Sequence, residues 1–97
     1  MARSVIKRNE KIIALGRTQA ISGSNITPNQ QYQFIINGNF TDNCLVIASP
    51  HIEGASAENT FIRTMIYQGN AIINFIFTGT QYVESVKVYM DYIILKP

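Results

Sequence analysis

The chain is predicted to be all-β: an antiparallel β-sandwich, jelly-roll or Ig-like, of six to eight strands with an N-terminal extended arm. Three observations predict it. Among 97 residues there are 16 Ile, 5 Val, 7 Thr and 10 aromatics against only 3 Leu, a composition that suits pleated, half-buried surfaces. Hydrophobic residues make up 46% and charged residues 14%, which excludes a disordered tail and leaves enough apolar surface for one small core. From Thr18 onward, turn-forming residues recur about every eight to twelve positions, the spacing of sandwiches and barrels.

Taken in order, residues 1–17 lack a clean period, because Val5-Ile6 and Ile12-Ile13 flank Lys7-Arg8-Asn9-Glu10-Lys11. A short helix and an extended arm both fit, and the arm is preferred, with the sandwich domain beginning at residue 18. Ser22-Gly23-Ser24-Asn25 and Pro28-Asn29 are turns. Gln31 to Ile36 alternates, with Tyr32, Phe34 and Ile36 on one face, and Asn37-Gly38-Asn39 carries a hairpin signal. Cys44 to Ala48 is an apolar strand ended by Ser49-Pro50. His51 to Glu53 is expected as a short edge piece, since proline cannot donate to a ladder. Gly54 to Asn59 reads as the longest loop. Thr60 to Tyr67 and Ala71 to Phe77 flank Gln68-Gly69-Asn70 as the clearest hairpin, Thr78 to Gln81 reads as a loop, and Val86 to Leu95 is the longest strand. Several of these strands are apolar on both faces: Ile73, Phe75 and Phe77 oppose Ile72 and Ile76 around Asn74, for instance. A sandwich needs only one apolar face per sheet, so the excess predicts a homo-oligomer.

Charge divides the chain. Arg3, Lys7, Arg8, Lys11 and Arg17 against Glu10 give the first 17 residues a net +4, while the remainder carries −2. The five cations form a candidate assembly arm toward an acidic partner. Nucleic acid is not the expected partner, because the body has no basic patch interleaved with aromatics. A single cysteine, Cys44, excludes a disulfide framework and a cysteine-rich zinc site, and it is expected as a small buried hydrophobe. The apolar stretch Ile12 to Leu15 is too short for a secretory leader, no stretch reaches the length of a membrane span, and a reducing cytoplasm is the expected folding compartment.

Catalysis is not expected. His51 is the single histidine and reads as a loop residue; no H-E-x-x-H, C-x-x-C or G-x-S-x-G spacing occurs, and the six glycines are scattered rather than gathered into a phosphate loop. Asp42 and Asn43 lack the remaining pattern of a calcium loop. No catalytic residue, metal or cofactor is therefore assigned. Asn25-Ile26-Thr27 and Asn39-Phe40-Thr41 are read as turns rather than glycan acceptors.

The segment Asn25-Ile26-Thr27-Pro28-Asn29, the step from Gly38 through Asn43-Cys44 to Pro50, the alternating hairpin and the final strand Val86 to Leu95 form one pattern. It resembles small β-sandwich virion proteins of tailed bacteriophages, over roughly seventy residues. The resemblance implies a non-enzymatic structural role as a capsid decoration, head-fibre or tail-associated subunit. It further implies a homo-oligomer (a trimer by preference), other virion proteins as partners, and a virion location after folding in the host cytoplasm. The alternative is a carbohydrate-binding module: the C-terminal half resembles compact six-stranded lectins. Tyr67, Gln68, Asn70, Gln81 and Tyr82 then supply aromatic and amide groups for a surface glycan. A third reading is an inhibitory protein that covers a partner through an exposed strand edge.

Overall fold

The computed structural model describes residues 11–23, 29–56, 59–78 and 81–97, with backbone alone at 22–23, 55–56 and 81–85, and among them seven antiparallel strands build two sheets. The strands are β1 (Lys11–Arg17), β2 (Ile21–Gly23), β3 (Tyr32–Ile36), β4 (Leu45–Ser56), β5 (Asn59–Tyr67), β6 (Asn70–Thr78) and β7 (Gln81–Lys96). No helix occurs among the described residues. In sheet A, β7 is central, with β4 along one edge and β1 followed by β2 along the other; in sheet B, β6 lies between β3 and β5.

Alternation decides which side chains meet between the sheets. From β7 come Val86, Val88, Met90 and Ile94, and from β4 Val46; from β6 come Ala71, Ile73, Phe75 and Phe77, and from β3 Phe34. Phe75 and Phe77 stack at 5.7 Å between ring centroids, and Tyr32 stacks on Phe77 at 6.2 Å. The face of Gln31–Ile36 that alternation sets apart, Tyr32, Phe34 and Ile36, turns inward, with Phe34 buried and its two neighbours packed against the core.

β1 and β2 are one edge strand with an interruption at Thr18–Ala20. Before the gap Arg17 stands opposite Asp91; after it Ile21 stands opposite Val88, one residue out of register. Thr18 bridges the break. Its backbone N–H donates to the Met90 carbonyl at 2.9 Å, and its hydroxyl accepts from the Met90 N–H at 2.9 Å. A side chain thus replaces the missing ladder partner.

Five sequence expectations change. Residues 11–17 are not arm but an integral strand, because Lys11 to Arg17 satisfy their backbone against Lys96 to Asp91. β4 runs unbroken through Pro50, which stands opposite Met90; an edge strand has one unladdered side, where a missing N–H costs nothing. His51 accordingly sits in a strand rather than a loop. Gly54 does not open a long loop but takes φ +80° at a bulge, and pairing resumes with Ala55 opposite Tyr82, so β7 starts at Gln81. Finally, Asn37-Gly38-Asn39 makes no hairpin, since β3 pairs with β6 and the chain crosses to sheet A. Gly38 N–H donates to Asn70 Oδ1, and Phe40 N–H to the Gly69 carbonyl. A Cβ on Gly38 would lie 2.6 Å from the Phe40 ring, so any larger residue there requires that ring to shift.

The β5–β6 hairpin closes with two residues, Gln68 (φ 50°) and Gly69 (φ 81°), between paired Tyr67 and Asn70. Positive φ at both positions is the turn whose twist matches the flanking strands. Across the sandwich the Thr64 hydroxyl donates to the Val46 carbonyl at 3.3 Å, tying the β5 edge to the β4 edge.

Candidate functional site

The outward faces carry what the core does not absorb. On sheet A, odd-numbered residues of β7 point away from the core. Ile12, Leu95 and Leu45 lie side by side across three strands, and Leu15, Ile93 and Ile47 form the next row. Leu15 is 69% exposed, Ile12 53% and Ile47 43%, while Leu95 in the middle of its row is 1% exposed. The exposed members present on the order of 400 Å² of apolar surface, the size of the largest patch on a typical soluble domain and often a functional one.

The rows that follow are polar and internally paired. Arg17 Nε donates to Asp91 Oδ1 at 2.5 Å and Arg17 Nη2 to Asp91 Oδ2 at 3.0 Å, a two-pronged pair. The guanidinium also lies 5.4 Å from the centre of the Tyr89 ring. The Arg17 hydrogen bond holds the Asp91 carboxyl below the ordinary range, against a smaller opposing effect of desolvation and with help from the charges of Arg17 and His51. The same bond raises the Arg17 guanidinium above its own ordinary value. One row further, His51 Nε2 lies 3.3 Å from Glu53 Oε2, and its ring stands 5.9 Å from that of Tyr89.

Sheet B presents a different outer face. Arg63, Asn74 and Gln33 form one polar row, with Phe61 and Ile76 on one side and Met65, Ile72 and Ile35 on the other. Asn74 Oδ1 accepts from Gln33 Nε2 at 3.2 Å and from Gln31 Nε2 at 3.4 Å.

The residues singled out from sequence are dispersed by this architecture. Arg3, Lys7 and Arg8 lie outside the described residues. Lys11 is exposed opposite Lys96, and Arg17 is committed to Asp91, so neither belongs to a free arm. Tyr67, Gln68 and Asn70 gather at the β5–β6 turn, but Gln81 and Tyr82 begin β7 beyond the far end of β6. The nine residues of β6 put the two groups roughly 26 Å apart at about 3.3 Å per residue. The five do not form one site. Cys44 is half-buried just before β4, with its sulfur 3.5 Å from the Thr41 hydroxyl. Asn25 and Thr27 lie outside the described residues; Asn39 to Thr41 fall in the crossover to sheet A.

The sheet A patch was missed because its members come from three strands far apart in sequence, and only register makes them neighbours. The two-sided apolar pattern was the available signal. Among the described residues, no three His, Cys, Asp or Glu side chains come together as a metal site, and no helix is long and apolar enough to cross a membrane.

No protein-family model, curated protein or solved structure matches this chain.

Proposed function

We propose that the protein is a non-enzymatic structural subunit that assembles with copies of itself through the outer face of sheet A. It would do so in the manner of the phage virion proteins its sequence resembles. The observation that carries the reading is the pair of apolar rows Ile12–Leu95–Leu45 and Leu15–Ile93–Ile47, bordered by polar groups. A stable interface draws about 800 Å² from each partner, with an apolar centre and a polar rim enriched in Arg and Tyr. Here the patch supplies the centre, and Arg17, Tyr89 and Asp91 the rim.

A second copy fits better than a charged foreign partner. Arg17 is already neutralised by Asp91, so the charges that border the apolar rows most closely are paired within the face and need no foreign partner. Face-to-face pairing of this kind gives a two-fold dimer; a trimer requires the same patch to meet a different surface. The leader bearing Arg3, Lys7 and Arg8 is the proposed tether to other virion proteins. The sugar site expected in the loops is not proposed, because its two halves sit at opposite ends of β6.

Light scattering on the eluting protein tests assembly. An oligomer is expected for the native chain, and Leu15→Lys with Ile47→Lys should yield a monomer that melts at nearly the same temperature. A native monomer, or an oligomer indifferent to both substitutions, would rule out this face. A truncation that tests the tether ends before Lys11, where β1 begins.

A further inference from the structure

We propose that the outer face of sheet B binds an acidic saccharide, a sugar whose ring carries a carboxylate, with Arg63 taking the carboxylate and Phe61 the ring. The site is independent of the assembly reading above and uses the opposite side of the sandwich.

Alternation along β5 places Phe61, Arg63 and Met65 on one surface, and register brings Ile76, Asn74 and Ile72 of β6 beside them. Phe61, Arg63, Met65, Asn74 and Ile76, together with Gln31, are among the residues that line a shallow groove of about 630 Å³. Three properties of that groove converge on one ligand chemistry. Arg63 is exposed, makes no hydrogen bond or ion pair with any described residue, and the register rows of this face contain no carboxylate, so its fork of five N–H donors has no neutralising partner among the described residues. That fork matches a carboxylate in two-pronged geometry.

Next to it, the Asn74 carbonyl is occupied by both Gln31 and Gln33. The Asn74 amide N–H groups and the two glutamine carbonyls are thereby left as donors and acceptors for the hydroxyls of a ligand. Phe61, 59% exposed and two residues from Arg63 on the same face, offers a flat apolar surface to the C–H side of a sugar ring. Tyr67 and Asn70, two of the residues picked out from sequence, share this face at its hairpin end.

Other occupants fit less well. An apolar protein surface would bury Arg63 and the amides without partners, which is costly. A second copy docking through this same face would bring a second guanidinium and again no carboxylate in its register rows. A nucleic acid would meet one cation where its backbone needs several. A neutral sugar would satisfy the amide row and leave Arg63 unpaired.

Titration calorimetry on the full chain at 150 mM salt, using trigalacturonic acid and 3′-sialyllactose as probes with maltotriose and lactose as neutral counterparts, tests the site. The proposal expects saturable binding of an acidic probe at least tenfold tighter than its neutral counterpart. Arg63→Gln and Phe61→Ala should each weaken it at least tenfold, and Arg63→Lys less. Both positions are exposed, so the variants should keep the native amide spectrum. If one does not, shifts in the native protein decide instead: perturbed Gln33 and Asn74 side-chain amides support the site, and perturbation confined elsewhere overturns it. Absence of saturable binding by both acidic probes overturns it, as does binding that survives Arg63→Gln. Retention of polyglutamate with no saccharide bound would assign the face to an acidic peptide and also overturn it.

Discussion

Thr18 shows how much one side chain carries in this fold. The edge strand slips by one residue at Thr18–Ala20, and the Met90 N–H of the central strand loses its backbone acceptor; the Thr18 hydroxyl takes that place. Thr18→Ala should cost about 1–2 kcal/mol in urea unfolding, because a partly buried donor is left unsatisfied, and Thr18→Ser should recover most of it. Gly69 is a backbone case. At φ +81° any Cβ is strained, so Gly69→Ala should cost about 1 kcal/mol and Gln68→Gly very little. Asp91 predicts a pH effect. Its folded carboxyl titrates below its ordinary value, chiefly through the Arg17 hydrogen bond, so the associated stability is present above the unfolded value and fades as pH falls through the folded one. Asp91→Asn should therefore be the less stable protein at pH 7, with the difference shrinking toward strong acid. A gap that widened on acidification would contradict this.

At the scale of elements, β6 is the strand on which sheet B depends. Phe75 is fully buried between the layers and packs against Phe77, and Phe75→Ala should cost about 3–5 kcal/mol, enough to leave a domain of this size largely unfolded. Thr64→Val keeps the shape and removes the hydroxyl that reaches Val46, so it isolates the tie between the β4 and β5 edges. A loss of about 1 kcal/mol is expected by chemical denaturation. The hairpin β5–β6 was readable from sequence because turn and strands are contiguous: two positions of positive φ between alternating runs. β4 was not. Pro50 and Gly54 read as terminators in a single chain, whereas an edge strand tolerates the missing N–H of the one and absorbs the other as a bulge. The same limit misread Asn37-Gly38-Asn39, whose turn residues serve a crossover under the Gln68–Gly69 turn rather than a hairpin.

For the whole molecule, composition and alternation determined the class, the approximate strand number and the inner face of β3, because alternation of apolar residues is a local property of each strand. They also determined that apolar surface exceeds what one core can bury. Only the tertiary structure decided where that excess lies. Ile12, Leu45 and Leu95 become neighbours through β1–β7 and β4–β7 pairing, across sequence separations that no local pattern encodes. It likewise decided that Arg17 belongs to Asp91, 74 residues away, rather than to a free arm, and that Arg63 is left facing outward beside Asn74 without a carboxylate in its rows. The physical reason is the same in each case. Strand formation and facing follow from side chains a few residues apart, whereas the composition of a surface follows from register, which is set by the sum of all cross-strand contacts at once.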